Sequence, residues 1–322
     1  FATGGAGAMQ WIWNTNFYMD NANESHIGAL RADGTEKPEA DVSYDFGRFI
    51  AQTRDLFHGR QLEDVAVVFP YSNDFSNRSL AYDATTRLTR VLAYELHVPF
   101  RGVGEYQLQE LEKNPPKLVI LPSAHNVDDT AFDRLIEFVR KSGATLLFTG
   151  PIHLDAYWRK VERLTDLLGT QATGNVLREE RLRLGDREYP VSFGRRRIAE
   201  ASKSVPVSAA AGSPAAVVEA AIGAGRLIWS PLPVELNERI EPVAQLYRHA
   251  LQAAGVRAEM EWLQGGDVPG VYGRKLTFGD GALFVFVSEC GADVPVEVKD
   301  ADTGAVYGFE LKQERSVLFA AD

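Results

Sequence analysis

The stretch Lys117–Gly150, KLVILPSAHNVDDTAFDRLIEFVRKSGATLLFTG, restricts the fold more than any other part of the chain. Leu118–Leu121 is an apolar run closed by Pro122, which has no N–H to continue a ladder. Asp128 or Asp129 offers a helix N-cap. Phe132, Leu135, Ile136 and Val139 then recur at helical spacing, with Arg134, Glu137 and Arg140 between them. Lys141 and Gly143 supply the stop signals, and Ala144–Phe148 is a second apolar run ended by Thr149-Gly150-Pro151. Two buried strands joined by one amphipathic helix make a right-handed βαβ unit and imply a parallel sheet. Sites in such sheets form past the carboxyl ends of the strands, here Pro122–His125 and Thr149–His153.

The neighbouring sequence extends the same sheet. Val65–Phe69 (VAVVF) reads as a third buried strand and Tyr82–Leu96 as a helix. Pro99–Val103 reads as a short strand and Trp158–Leu168 as a further helix. Arg181–Leu184 and Arg187–Val191 flank Gly185-Asp186 as a hairpin. Pro214–Ile222 and Arg226–Trp229 form a second one around Gly223-Ala224-Gly225. Glu238–Gly255 closes this part as a helix, and Ala199–Ser213 reads as a surface loop within it. From Arg257 onward the pattern is all-β. Short apolar or alternating runs at Ala282–Val287, Val294–Lys299, Val306–Leu311 and Ser316–Phe319 imply a small sandwich.

Totals narrow the function classes. Lys plus Arg is 34 against 44 for Asp plus Glu, a net charge of −10, so no basic excess exists to meet nucleic-acid phosphates. Cys290 is the single cysteine, which excludes an internal disulfide and a cysteine-based metal cluster. No two histidines stand at the zinc-helix spacing, so no metal and no other cofactor is expected. Gly102-x-Gly104 lacks the third glycine of a dinucleotide fingerprint, and Arg195-Arg196-Arg197 reads as a solvated basic face. No apolar run is long enough to span a membrane. A cytoplasmic location is expected, with secretion left open.

The first 57 residues are chemically the richest. AMQWIW is a short apolar strand in which Trp11 and Trp13 share a side. A polar loop follows with Asn14, Asn16, Asp20, Asn21, Asn23, Glu24 and His26, then an Asp33-Gly34-Thr35 turn. Val42–Phe57 is amphipathic, with Phe46, Phe49, Ile50, Thr53 and Phe57 on one stripe. A lone βα step cannot bury both sides of its strand, so these aromatics need a partner surface. FATGGAGAMQWIW, with no initiator Met, reads as the interior of a fold, and a longer polypeptide is expected.

These residues carry a resemblance. GAGAMQWIWNT, a Glu/His loop, GALRADGTEKPEA and a helix are similar to the last βα step of a clan A glycoside hydrolase (β/α)8 barrel. VAVVFPYS, LVILPS, a helix and SGATLLFTGP resemble the middle domain of family 42 β-galactosidases, itself similar to class I glutamine amidotransferases. The fold class so implied is α/β: a flavodoxin-like central domain, preceded by that barrel step and followed by the small β-sandwich. The implied domains are 1–58, 59–256 and 257–322.

The resemblance further implies a C-terminal portion of a β-galactosidase-like enzyme acting on β-linked sugars, with the rest of the barrel upstream and a homo-oligomer, a trimer in the family. Trp11 or Trp13 would floor a sugar subsite, and Asn14, Glu24 and His26 would rim it, because sugar sites combine a ring with hydrogen-bonding groups. Glycosidases need two carboxyls roughly 5–9.5 Å apart, according to mechanism. The family's pair sits at the ends of the fourth and seventh barrel strands, and nothing here matches them. No catalytic residue is therefore expected in this chain, and by itself it should be inactive. No nucleophilic Cys stands at the strand-end turns, so amidotransferase chemistry is not expected either. The alternative is a non-catalytic carbohydrate-binding or oligomerisation module. His125 and His153 are expected in turn or capping roles.

Overall fold

The computed structural model describes residues 9, 12–16, 18, 27–169, 176–194 and 215–321. The basic run at 195–197 and the loop at 199–213 lie outside these. The first elements in chain order are α1 (Pro38–Thr53), β1 (Val65–Phe69), α2 (Tyr71–Arg90) with a π-helical turn at Val91–Glu95, and β2 (Arg101–Gly104). Then come α3 (Glu110–Lys113), β3 (Leu118–Leu121), α4 (Asp129–Ser142), β4 (Thr145–Thr149) and α5 (Leu164–Leu168). β5 (Glu179–Leu184), β6 (Arg187–Ser192), β7 (Ala215–Ala216), β8 (Val218–Ile222), β9 (Gly225–Ser230) and α6 (Glu241–Ala253) follow. The chain closes with β10 (Met260–Gln264), β11 (Val271–Thr277), β12 (Ala282–Ser288), β13 (Val294–Asp300), β14 (Val306–Leu311) and β15 (Ser316–Ala321).

The central sheet has the order β2-β1-β3-β4-β9-β8. All its pairings are parallel except that of β8, which lies antiparallel on β9. Alternate residues of each strand face opposite sides. Val65, Val67, Leu118, Ile120, Leu147 and Ile228 share one core with Leu88, Leu92, Leu246 and Tyr247. Ala66, Val68, Val119, Leu121, Leu146 and Phe148 share the other with Phe132, Leu135, Ile136 and Val139 of α4. Burial on both faces is why these strands read as unbroken apolar runs rather than alternating ones.

The βαβ unit has the ends its sequence implies. The Asp128 carboxylate accepts a hydrogen bond from the Ala131 N–H at 3.0 Å, and Gly143 ends α4 with φ 79°. Two expected helices differ. The helix expected at Tyr82 begins at Tyr71, because its N-terminus is capped from a distance: the Glu105 carboxylate accepts from the Ser72 N–H at 2.7 Å and from its hydroxyl at 2.9 Å. The helix expected from Trp158 is confined to α5. Residues before it turn around the Asp155 carboxylate, which accepts the N–H groups of Tyr157 and Arg159 at 2.8 and 2.9 Å.

The terminal strands form two three-stranded sheets, β10-β13-β14 and β11-β12-β15. Rings pack between them, with Phe286 of β12 4.8 Å from Phe309 of β14. β10 and β11 add to the four strands read from sequence. The chain divides into two compact units, one of Phe1–Gln61, Leu276–Leu283 and Ala320–Asp322, the other of Leu62–Lys275 and Phe284–Phe319. No described helix is long and apolar enough to cross a membrane.

Candidate functional site

The first candidate is built on a tight backbone crossing. The Leu30 N–H donates to the Trp13 carbonyl at 2.9 Å, and the Thr15 N–H donates back to the Leu30 carbonyl at 2.9 Å. Asn14 and Leu30 pair as a parallel bridge, and Leu30 pairs antiparallel with Glu36. Gly28, at φ 140°, is required here because a Cβ would stand 2.9 Å from the Asn14 carbonyl carbon. The return turn is fixed by Asp33, whose carboxylate accepts from the Thr35 N–H at 2.9 Å and its hydroxyl at 2.7 Å. Pro38 then opens α1.

This frame leaves Trp13 42% exposed, with its ring edge-on to Tyr44 at 6.1 Å. The Tyr44 hydroxyl donates to Glu36 at 3.0 Å, which raises the phenol pKa above its ordinary value. Ile12, next to Trp13, has φ 59°, a left-handed conformation that a β-branched residue adopts only where its surroundings hold it. Strained backbone beside a half-exposed aromatic is a frequent companion of binding sites. Asn14 is exposed. Trp11, Asp20, Glu24 and His26 lie outside the described residues.

The second candidate lies past β3 and β4, where parallel sheets place their ligands. A buried polar network occupies it. The Glu235 carboxylate, 1% exposed, accepts from the Ser123 and Thr149 hydroxyls at 2.5 Å each and from Tyr247 at 2.8 Å. Burial holds the Glu235 pKa above the ordinary carboxylate range. Ser123 (φ 41°) and Ile152 (φ 38°) carry left-handed backbone at this end. The Arg163 guanidinium ties the loops together through the carbonyls of Ile152 at 2.9 Å and Val127 at 2.7 Å.

Both strand-end hydroxyls are thus sealed from solvent and bonded to a carboxylate, which leaves neither accessible as a nucleophile. Gly150 follows at φ 88°, with the Ala124 carbonyl 3.1 Å from where a Cβ would stand. Cys290 is remote in sequence, and its thiol donates to the Pro269 carbonyl at 2.8 Å. His125 is fully buried with Nδ1 3.2 Å from the Ser123 carbonyl, and burial lowers its pKa to about 4. His153 is also lowered to about 4, by burial first and then by His125, and neither ring nitrogen has a hydrogen-bond partner. Among the described residues, no group of three or more His, Cys, Asp or Glu side chains is placed to hold a metal.

Glu235 and Tyr44 escaped the reading of the sequence. Glu235 had one signal, a lone carboxylate in the apolar run LPVEL. Tyr44 had none beyond its place on α1.

No protein-family model and no curated protein matches the chain. Among solved structures the chain is similar to a β-galactosidase from Bacillus circulans sp. alkalophilus, with TM-score 0.66, 12% identity, and coverage of 96% of this chain and 49% of that one. It is also similar to a catalytic mutant of Gan42B, a GH42 β-galactosidase from G. stearothermophilus, with TM-score 0.64, 13% identity, and coverage of 96% and 47%. A cold-adapted β-galactosidase from Rahnella sp. R3 gives TM-score 0.64, 12% identity, and coverage of 96% and 48%. At these identities the likeness is one of fold: the chain is similar in architecture to the C-terminal part of GH42 β-galactosidases, and it spans about half the length of those enzymes.

Proposed function

We propose that this chain is the C-terminal portion of a glycoside hydrolase acting on β-linked sugars, β-galactosides first among them. In this reading 1–58 is the last βα step of a (β/α)8 barrel, 59–256 an amidotransferase-like domain and 257–322 a β-sandwich. The observation that carries it is the half-exposed Trp13 ring next to the left-handed backbone of Ile12, within a fold similar to GH42 β-galactosidases over 96% of this chain. The parallel order β2-β1-β3-β4-β9 supports the flavodoxin-like assignment of the middle domain. Trp13, with Trp11, stacks the sugar ring, and Asn14, Glu24 and His26 contact its hydroxyls. The acid and nucleophile carboxylates belong to the upstream barrel. The test compares hydrolysis of nitrophenyl β-galactoside by this chain and by the protein carrying its upstream sequence. The chain alone should be inactive. The longer protein should be active, with Trp13→Ala raising KM. Turnover by the chain alone, abolished by Glu24→Gln, would overturn the assignment of roles.

Oligomerisation is a second role, favoured by one observation. Phe75, Tyr106, Tyr157 and Trp158, all in segments that follow the carboxyl ends of sheet strands, are 50–80% exposed. Exposed aromatic surface of this kind marks association sites. Light scattering should give a homo-oligomer, a trimer by the resemblance, that Phe75→Ser weakens. A monomer at high concentration would end this role.

A further inference from the structure

A cleft of about 960 Å³ lies between the end of α2 and the loop joining β10 to β11, and no role proposed above uses it. Irregularities at the end of α2 and in the facing loop converge on it. α2 ends in a π-helical turn at Val91–Glu95, a feature that recurs at functional sites. His97, just past the turn, has left-handed backbone at φ 51°. The buried Nδ1 of His97 and Nε1 of Trp262 have no hydrogen-bond partner, which is rare for interior polar atoms. The opposite wall is the loop Gly265–Gly270 (GGDVPG), which runs so close to Trp262 that a Cβ at Gly266 would be 2.8 Å from the indole. That wall is fixed, because the Glu289 N–H donates to the Gly270 carbonyl at 2.8 Å.

The lining states the ligand's chemistry. Its charged side chains are two guanidiniums, Arg87 and Arg90, and three carboxylates, Glu95, Asp267 and Glu289. The carboxylate excess opposes a phosphate or other anion, and the paired signs give no reason to hold a cation. Tyr94 is 38% exposed and presents an aromatic ring beside these groups, with Tyr272 edge-on at 6.2 Å. Carboxylates and guanidiniums that bridge neighbouring hydroxyls, next to a ring that covers C–H faces, are the complement of a neutral polyhydroxylated ring. We propose that this cleft is a carbohydrate-binding site, separate in its residues from the Trp13 segment, with Tyr94 as its stacking ring and Glu289 and Arg90 as its hydroxyl partners. It rests on the lining alone and stands whether or not the chain belongs to a glycosidase.

The test is calorimetric titration of this chain with lactose, cellobiose and inorganic phosphate. At least one disaccharide should bind saturably. Tyr94→Ala and Glu289→Gln should each weaken it at least about tenfold, with an unchanged thermal midpoint, while Trp13→Ala leaves the affinity in place. Glu289→Gln is nearly isosteric at an exposed position, so its result does not depend on how Tyr94→Ala folds. The proposal is overturned if neither disaccharide binds, if binding survives Glu289→Gln unchanged, if Trp13→Ala removes it, or if phosphate alone binds.

Discussion

Glu259 and His125 pull the pH response in opposite directions. Burial raises the Glu259 carboxyl from 4.5 to about 7, and Arg274 opposes this only in part. Between those values the folded chain keeps a proton that the unfolded chain has released. Stability therefore falls as pH rises through the window, by at most roughly 3 kcal/mol. His125 is lowered from 6.5 to about 4, so the unfolded chain takes its proton first on acidification. Stability is then lost as pH falls through that window, by a similar roughly 3 kcal/mol. His153, lowered likewise to about 4, adds to the His125 arm, so in the native sequence Glu259 offsets only part of it. Glu259→Gln should remove the opposing arm, leaving urea midpoints that climb more steeply than the parent's from pH 4.5 to 6.5; a slope equal to the parent's would show that Glu259 is ordinary.

Glu235 is a sharper residue-scale case. Glu235→Ala leaves the Ser123, Thr149 and Tyr247 hydroxyls buried without their acceptor. Each orphaned group costs about 1–3 kcal/mol, so equilibrium denaturation should show a loss of at least about 3 kcal/mol. A loss below about 1 kcal/mol would mean that water enters and replaces the carboxylate.

At the scale of elements, α4 and α2 start in different ways. α4 carries its own cap, so Asp128→Ala should cost about 1 kcal/mol. Gly143→Ala should cost a comparable amount at φ 79°, about 1 kcal/mol. α2 has no side-chain cap of its own and depends on Glu105, which also accepts the Asp128 N–H at 2.7 Å. Glu105→Ala should therefore exceed either α4 substitution in a denaturation series and raise amide exchange at Ser72. Equal effects would refute the long-range cap. The periodicity of α4 was legible because helix, caps and buried face lie in one contiguous stretch. The first turn of α2 was not, since PYSNDFSNRS has neither a regular apolar stripe nor a local cap.

At the scale of the molecule, α1 carries an apolar stripe that stays open. Phe46 is 47% and Phe49 42% exposed, and Ala40 alone is buried on the helix. Phe46→Ser should change the unfolding free energy of this chain by no more than about 0.5 kcal/mol. In a protein with the upstream sequence the same substitution should cost about 2 kcal/mol or more, since a barrel would bury that ring. Equal effects in the two proteins would count against the barrel reading.

By itself the sequence determined the parallel core, the caps of α4 and the turns at Gly185 and Gly223, because each depends on residues close together in the chain. It also singled out Trp13 as an aromatic beside a polar loop, and the structure leaves that ring open to solvent. Only the tertiary structure decided that Ser123, Thr149, Glu235 and Tyr247 meet, and that the end of α2 faces the Gly265–Gly270 loop. The physical reason is range. Hydrophobic period and capping act over a few residues and are written locally, whereas a buried carboxylate finds its donors up to 112 residues away, through a packing that no local pattern encodes.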